Sequence, residues 1–276
     1  MLFKFGSVTY DFALRTHVMG VLNVTPDSFF DGGKFSTVES AVARGVQMVE
    51  EGADFIDVGG ESSRPGSDPV SPAEEIRRVV PVIERLAKAF ATPVSVDTYK
   101  SEVAKAALEA GAVIVNDITA MTFDEHMLPL VVQQKASAVL MHMRGTPKTM
   151  QLNPEYKDVV REVGEYLRRE AERCRIAGVQ QVLIDPGIGF GKNLHHNLQL
   201  IHNLKVFRSY GFPLLVGPSR KSFLGTLLDL PVDQRLEGTA AAVAACVLNG
   251  ANVVRVHDVR AMKRVVTVAD AVSHAA

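Results

Sequence analysis

Three side chains that could recognise a nitrogen-rich ring each follow a short apolar segment of the sequence. They are Asp97, Asn116 and Asp185. A carboxylate accepts paired N–H groups from the edge of an aminopyrimidinone ring, and an amide supplies one donor and one acceptor. Buried without partners, such groups would be costly, so each must meet a ligand, a cation or a neighbour. The set predicts a pocket for a flat heterocycle.

A second group of polar side chains, mostly cationic, follows the last two apolar segments. Its members are Ser219, Arg220, Lys221, Arg255 and His257. If the segments are strands of an α/β barrel, this is the place where such barrels usually bind phosphate. We therefore expect an anionic group beside the ring.

Asn23, after the first of these segments, offers a hard oxygen ligand. Mg2+ commonly takes only one or two protein oxygens, while phosphates and waters supply the rest. Asn23 is therefore a candidate Mg2+ ligand, and a single ligand on its own indicates a metal site only weakly.

The apolar segments recur at intervals of about 20 to 45 residues, and the intervening stretches have helical periodicity, which is the pattern of repeated βαβ units. The segments are 17–24, 55–59, 93–97, 113–118, 138–143, 182–185, 213–217 and 252–257. Four helical stretches end at a glycine placed for a left-handed cap before the next strand, namely Gly52, Gly111, Gly178 and Gly250. The pattern predicts one (β/α)8 TIM barrel, a single α/β domain over residues 1–276. A doubly wound open sheet is the alternative, because periodicity alone does not show closure.

Composition excludes several classes of protein. The 276 residues carry 30 Lys and Arg against 31 Asp and Glu, so bulk charge attracts neither nucleic acid nor an anionic membrane. The longest uncharged run, 238–254, contains Asn249, Gly250 and Asn252, and residues 1–6 lack the apolar core of a signal peptide. Cys174 and Cys246 have no CxxC partner. We expect a cytoplasmic protein without a disulfide framework.

Simpler roles are expected for some polar residues. A strand-end aspartate is often a helix cap or loop anchor, and Asp57, Asp117 and Asp258 fit that role. His142, next to Met141, is interpreted as a side chain of the barrel rim, and His195–His196 as the start of a helix.

Eight ordered motifs, covering nearly the whole chain, resemble the dihydropteroate synthase family. They are 19–29 (MGVLNVTPDSF), 57–66 (DVGGESSRPG), 95–98 (SVDT), 116–118 (NDI), 141–143 (MHM), 185–192 (DPGIGFGK), 219–222 (SRKS) and 255–258 (RVHD). The resemblance implies that (7,8-dihydropterin-6-yl)methyl diphosphate reacts with 4-aminobenzoate to give 7,8-dihydropteroate and diphosphate. It also implies competitive inhibition by sulfonamides, a homodimer, and small molecules rather than nucleic acid or membrane as partners.

The same resemblance assigns roles to individual residues. The pterin positions are Asp97, Asn116, Ile118, Met141, Asp185 and Lys221. The diphosphate positions are Asn23, which is also the Mg2+ ligand, Ser63, Arg64, Arg255 and His257. The 4-aminobenzoate positions are Phe29, Arg64, Pro65, Phe190, Ser219 and Ser222. The catalytic group is Asp97, Lys221, Arg255 and His257.

The chain departs from the family pattern at Ser63, where threonine is usual, and at Pro218, and neither change removes a functional group. The family analogy favours loss of diphosphate before the amine attacks, with Asp97 stabilising the cationic methylene. The loops bearing Phe29 and Arg64–Pro65 are expected to be mobile in the empty enzyme and to close over the substrates. A pterin-dependent methyltransferase domain, a silent pterin-binding paralogue and, more weakly, a phosphosugar-binding barrel are the alternatives.

Overall fold

The fold is a ring of eight parallel strands preceded by a small hairpin. A computed structural model describes residues 2–25, 37–63 and 66–275, without the side chain of Thr37. The parallel strands are β3 (His17–Asn23), β4 (Phe55–Gly59), β5 (Val94–Asp97), β6 (Ile114–Asp117), β7 (Ser137–Met141), β8 (Val182–Asp185), β9 (Leu215–Val216) and β10 (Val253–Val256). The sheet order is β8-β7-β6-β5-β4-β3-β10-β9. A parallel bridge from Ile184 to Leu214 joins the two outer strands and completes the ring.

Helices follow the strands on the outside of the ring. They are α1 (Thr37–Glu50), α2 (Pro72–Ala89), α3 (Ser101–Glu109), α4 (Met127–Gln133), α5 (Val159–Ala177), α6 (Leu194–His202), α7 (Leu204–Arg208), α8 (Ser222–Leu228), α9 (Leu236–Leu248) and α10 (Val259–Ser273). A 3-10 turn occupies Val232–Gln234. Within the described ranges, no helix has both the length and the apolar composition to cross a membrane. The predicted barrel is confirmed.

The glycines predicted to end helices have the expected backbone geometry. All four glycines at the helix-to-strand junctions have positive φ, between 96° at Gly52 and 112° at Gly111. Ser71 caps α2 by accepting a hydrogen bond from the Glu74 amide at 3.3 Å, and the Glu74 carboxylate binds Arg77 and Arg78. The four glycines end their helices where the chain turns back into the sheet.

A short antiparallel hairpin at the N-terminus was not predicted. It pairs β1 (Leu2–Phe5) with β2 (Val8–Asp11). Phe5, together with Phe12 just after β2, packs against Met19, Phe55 and other side chains from the N-terminal ends of the barrel strands. The hairpin therefore closes the bottom of the barrel, and the polar strand ends are at the opposite, C-terminal rim.

Candidate active site

One cavity at the C-terminal rim gathers most of the predicted site residues. Its lining consists of Ser63, Asp97, Asn116, Ile118, Met141, Asp185, Ile188, Phe190, Gly217, Lys221 and Arg255. These side chains come from strand ends and their loops, which parallel strands bring to one rim. All the predicted pterin positions lie in this lining, as do three residues predicted for diphosphate or 4-aminobenzoate.

Arg255 bridges two carboxylates inside the cavity. Its Nε lies 2.6 Å from Asp57 Oδ2, and its Nη2 lies 2.6 Å from Asp97 Oδ2. Two carboxylates therefore share one guanidinium. Burial raises the pKa of Asp97 above its usual range, and the nearby Asp57 carboxylate acts in the same direction while Arg255 opposes both.

Asn116 is fixed from behind by the same aspartate. Its Nδ2 donates to Asp57 Oδ2 at 2.9 Å, and only 5% of the residue is exposed. One N–H group is thus committed, while the carbonyl oxygen and the second N–H remain to face a ligand. The expectation that Asp57 is a cap or loop anchor is wrong, because its partners are two cavity side chains. Asp117 and Asp258 do have anchoring roles: Asp117 accepts from the Thr119 and Met121 amides.

Asp185 and Lys221 form the opposite side of the cavity. Asp185 Oδ1 accepts from the Gly187 amide at 2.7 Å, and burial raises the pKa of this carboxyl to about 6. Lys221 Nζ lies 4.0 Å from the centre of the Phe190 ring, within range of a cation–π interaction. Phe190 packs with Ile118, Met141 and other apolar side chains. A flat ring would thus meet polar groups at its edge and apolar groups at its faces.

Lys192 is a buried cation that sequence reasoning left without a role. Its Nζ lies 2.8 Å from the Phe190 carbonyl oxygen, 3.2 Å from that of His142 and 3.0 Å from His142 Nδ1. Burial lowers the pKa of Lys192 to about 7 and that of His142 to about 2. These contacts hold the loop after β8 against the end of β7.

Ser219 and His257 form a hydrogen-bonded pair beside Arg255. Ser219 Oγ accepts from the His257 amide at 3.2 Å and lies 3.0 Å from His257 Nδ1. The hydroxyl can donate to Nδ1 when a neutral ring carries its proton on Nε2. Burial lowers the pKa of His257 to about 3, and the cations Arg255 and Arg220 add to the effect. At neutral pH such a ring is uncharged, and an Nε2–H can donate to a ligand.

Arg220 does not join the cationic group that the sequence suggested. Its guanidinium pairs with Asp258, with Nη2 2.6 Å from Oδ1 and Nε 2.9 Å from Oδ2. Its backbone has a positive φ of 56°, and its carbonyl oxygen accepts from Arg235. These contacts shape the turn that presents Lys221 to the cavity.

Asn23, at the end of β3, faces the same side of Gly59 as Asp97. A methyl group built on Gly59 would lie 3.7 Å from Asp97 Oδ2 and 3.8 Å from Asn23 Oδ1, so both oxygens border the same point above this glycine. No group of three His, Cys, Asp or Glu side chains suited to a metal ion occurs within 2–25, 37–63 and 66–275. The hard amide oxygen of Asn23 at this rim fits an ion such as Mg2+ that takes few protein ligands.

The predicted residues Phe29, Arg64 and Pro65 lie outside the described residues, as do the two loop segments expected to close. Ser222 is exposed at the start of α8, away from the cavity lining. The base of the loop after β4 is anchored by Lys100, whose Nζ lies 2.6 Å from the buried Glu75 carboxylate and also pairs with Glu61.

Fold and site together define a (β/α)8-barrel enzyme that binds a flat heterocycle and an anion side by side. The family model described as pterin binding enzyme matches residues 19–257. The chain therefore belongs to the pterin binding enzyme family.

Individual relatives agree with this family. The chain is 45% identical over 269 residues to a dihydropteroate synthase of Synechocystis, covering 96% of this chain and 93% of the relative. The dihydropteroate synthase of Yersinia pestis, solved in complex with a sulfonamide drug, superposes with a TM-score of 0.94 at 42% identity and full coverage of both chains. The Xanthomonas albilineans dihydropteroate synthase, solved with 7,8-dihydropteroate, gives a TM-score of 0.91 at 41% identity, again with full coverage of both.

Proposed function

We propose that this chain is a dihydropteroate synthase. It joins the methylene carbon of (7,8-dihydropterin-6-yl)methyl diphosphate to the amine of 4-aminobenzoate and releases diphosphate. The observation that carries the proposal is the single cavity in which Asp97, Asn116 and Asp185 lie beside Lys221 and Arg255. A relative with the same fold binds 7,8-dihydropteroate, the product of this reaction.

The pterin half of the substrate matches the polar edge of the cavity. The carboxylates of Asp97 and Asp185 accept N–H groups of the aminopyrimidinone, and Asn116 supplies an acceptor and a donor. Ile118 and Met141 form apolar walls for the ring. When the pterin engages Asp97, Arg255 loses one of its two carboxylate partners and its Nη groups become available to the diphosphate.

The diphosphate half matches the cations next to that edge. Arg255 and Lys221 carry positive charge, neutral His257 donates an N–H, and Ser63 lines the cavity wall. We assign Arg64, which the structure does not describe, to the same oxygens by family analogy. Asn23 would hold Mg2+, which supplies electrostatic stabilisation of negative charge on diphosphate oxygens.

The reaction order follows from these charges. The C–O bond breaks first, and its electron pair leaves with the diphosphate. The positive methylene is delocalised into the pterin and stabilised by the Asp97 carboxylate. The nitrogen lone pair of 4-aminobenzoate then forms the C–N bond, and the ammonium proton passes to water or to the departing diphosphate. Because the amine attacks a cation, the site needs no strong base.

The 4-aminobenzoate position draws on fewer described residues than the pterin position. Phe190 offers an aromatic face, while Phe29, Arg64 and Pro65 are assigned by family analogy and Ser222 stands at the exposed start of α8. Ser219 contacts His257 directly, so its assignment to this substrate rests on the family analogy. Sulfonamides resemble the amine and are expected to compete with it; a relative of the same fold binds one.

Assembly and location are also proposals. Exposed apolar side chains on α8, α9 and α10 support a homodimer, namely Leu227, Leu228, Leu236, Leu248 and Val268. Both cysteines are free and buried, which supports the cytoplasm as the compartment. Analytical ultracentrifugation at several concentrations tests the dimer, and a single monomeric species at all of them would exclude it.

The alternatives are less well supported. A pterin-dependent methyltransferase needs the pterin-reading carboxylates but no diphosphate site, so it leaves the Arg255 and His257 arrangement unexplained. A silent paralogue would keep the heterocycle-reading groups, but it would not need the cations Lys221 and Arg255 beside them. A phosphosugar barrel leaves the heterocycle-reading groups unexplained.

The test is a reaction with purified protein, pterin diphosphate, 4-aminobenzoate and Mg2+. We expect 7,8-dihydropteroate by mass spectrometry and one diphosphate released per product. Failure to form dihydropteroate when both substrates are present would contradict the proposal. A 4-aminobenzoate titration with sulfonamide should show competitive inhibition.

A further inference from the structure

Asp57 is a fully buried carboxylate that the reaction described above does not use. It lies in the middle of β4, and none of its side chain is exposed. One oxygen, Oδ2, accepts both from Arg255 Nε at 2.6 Å and from Asn116 Nδ2 at 2.9 Å. The other oxygen, Oδ1, is buried and has no hydrogen-bond partner within the part of the chain that the structure describes. The polar contacts of this buried charge are therefore with two cavity side chains.

The contact with Asn116 decides which atoms that amide presents. A carboxylate oxygen only accepts, so Asn116 must turn its NH2 group towards Asp57 and its carbonyl oxygen away. A side-chain amide without such a partner is free to flip by 180°, which exchanges donor and acceptor. Asp57 thereby fixes the orientation in which Asn116 meets the pterin.

The contact with Arg255 decides how that guanidinium shares its charge. In the empty site Arg255 holds Asp57 through Nε and Asp97 through Nη2. A pterin that pairs with both oxygens of Asp97 competes with the Nη2 contact for Oδ2. Because Nε stays on Asp57, Arg255 keeps a buried counter-charge while its Nη groups turn to the diphosphate. Without the Asp57 charge, Arg255 would have to keep Asp97 or remain unpaired, and an unpaired buried charge is costly.

We propose that Asp57 is a positioning residue that orients Asn116 and frees Asp97 from Arg255 when the pterin diphosphate binds. This inference rests on the proposed function for the identity of the ligand. Asp57 itself touches neither substrate; it acts through its two partners.

Ligand affinities measured by calorimetry separate this role from catalysis. The ligands are the pterin diphosphate and the matching pterin alcohol, which lacks the phosphates. Asp57→Asn keeps the size of the side chain and removes its charge. We expect both affinities to fall by about 10- to 100-fold, the range typical of residues that orient ligand-binding groups. The KM for 4-aminobenzoate, measured at saturating pterin diphosphate, should stay within about twofold because Asp57 has no contact on that side.

Two controls distinguish positioning from general destabilisation. Asp117→Asn alters another aspartate with 0% exposure at the same rim, whose carboxylate serves the loop after β6. It should lower the melting temperature while leaving both pterin affinities within about twofold. In an Arg255→Ala background, Asp57→Asn should weaken the pterin affinities by less than about threefold. Arg255 no longer competes with the pterin for Asp97 in that background, so only the contact between Asp57 and Asn116 is lost.

Three results would overturn the proposal. The first is that Asp57→Asn leaves the pterin affinities unchanged. The second is that it raises the KM for 4-aminobenzoate as much as it weakens pterin binding. The third is that it weakens pterin binding as much in the Arg255→Ala background as in the wild type. If Asp57→Asn does not fold, Asp57→Ser keeps an acceptor in a smaller side chain and should show the same pattern. A wild-type protein that binds the pterin alcohol but makes no dihydropteroate would contradict the proposed function while leaving the Asp57 result interpretable.

Discussion

At the scale of single residues, the cavity combines groups of opposite charge that are partly paired with each other before any ligand binds. Arg255 lies between Asp57 and Asp97, and Lys221 lies over Phe190. Buried charges are tolerated in this state because each has a partner. A ligand that carries both a heterocycle and an anion satisfies both sets at once, so we expect the cavity to bind such a molecule more tightly than either half alone.

The charge of Asp97 should matter more for turnover than for binding. Asp97→Asn keeps the shape and a hydrogen-bond acceptor but removes the charge that stabilises the cationic methylene. We expect kcat to fall by about 100-fold or more, as for loss of one preorganised electrostatic contact, and the KM for pterin diphosphate to change only a few-fold. Steady-state kinetics measures both.

The control for this variant is Asp68→Asn, which changes a largely exposed carboxylate on the loop after β4. Its kinetics should match the wild type. Equal losses in kcat and in pterin affinity for Asp97→Asn would remove the electrostatic role and leave Asp97 as a binding group only.

Residue types at strand ends were enough to predict most of the cavity, because parallel strands bring their carboxyl ends to one rim. The misinterpretation of Asp57 shows where that reasoning fails. An aspartate near a strand end can serve equally well as a helix cap or as a cavity side chain. Only the alternation of side chains within β4 distinguishes these two roles. Asp57 shares a face with Phe55, which packs in the barrel interior, so period-two alternation places Asp57 inside as well. Its partners come from strands far apart in sequence and could not be read from spacing.

At the scale of elements, the site depends on how closely the loop after β8 approaches the end of β7. Gly187 has φ 68°, and a Cβ there would lie 2.0 Å from the His142 carbonyl oxygen. Gly191, with φ 63°, is similarly close to Arg144. Lys192 joins the same segments through the His142 and Phe190 carbonyl groups. These contacts place Asp185 and Phe190 on the cavity wall.

Gly187→Ala tests this close approach. We expect a loss of at least about 3 kcal/mol of unfolding free energy, because a methyl group cannot fit against backbone and the φ is unfavourable for alanine. Urea unfolding measures the loss, and pterin binding should weaken because Asp185 accepts from the Gly187 amide.

Gly211→Ala is the matched control. Gly211 has φ 81°, but no atom of the described residues lies within 4 Å of the position that an added methyl group would take. Gly211→Ala should therefore lose only the unfolding free energy that the unfavourable φ costs, about 1 to 2 kcal/mol. It should leave pterin binding unchanged. Equal losses for the two variants would mean that φ alone, rather than packing against β7, requires glycine at position 187.

The N-terminal hairpin shows the limit of prediction for whole elements. Eight strand segments are enough to form the barrel, so the pattern gives no reason to expect further strands before His17. Gly6, with φ 59°, marks the turn between β1 and β2. The hairpin was recognisable from that alternation and glycine, but its place under the barrel depends on contacts with Met19 and Phe55 that no local pattern encodes.

At the scale of the whole molecule, the two ends of the barrel have different tasks. The C-terminal rim carries the site, and the N-terminal end carries a buried ionic cluster around Asp54. Arg15 Nη2 lies 2.6 Å from Asp54 Oδ1, and Lys263 Nζ lies 2.8 Å from Oδ2. The cluster connects the segment before β3, the start of β4 and helix α10. Stability and chemistry can therefore be changed separately.

Asp54 should stabilise the fold in a pH-dependent way. Burial alone would raise the pKa of Asp54, but His17, Arg15, Lys263 and the Val18 amide together lower it far below its usual range. A carboxyl with a lowered pKa in the folded state stabilises the protein above the pKa of the unfolded chain, about 4, and this contribution is lost as the pH falls below that value.

We therefore expect Asp54→Asn to lower the unfolding free energy by about 2 kcal/mol at pH 7, the size of hydrogen bonds to a charged group, and by progressively less below pH 4. Denaturant unfolding across this pH range measures the difference. Glu125→Gln, at an exposed carboxylate, should show little effect at any pH. A constant difference between wild type and Asp54→Asn at all pH values would contradict the ionic origin. The folded variant should keep wild-type kcat/KM.

The central claim is that one cavity holds the pterin and the diphosphate on separate groups. Calorimetry with the pterin diphosphate and the pterin alcohol, on wild type and Arg255→Ala, tests it most directly. We predict that Arg255→Ala weakens the diphosphate ligand by at least about tenfold while the alcohol binds as well as or better than in wild type, since Asp97 is released. An equal loss for both ligands, or no loss for the diphosphate, would contradict the account.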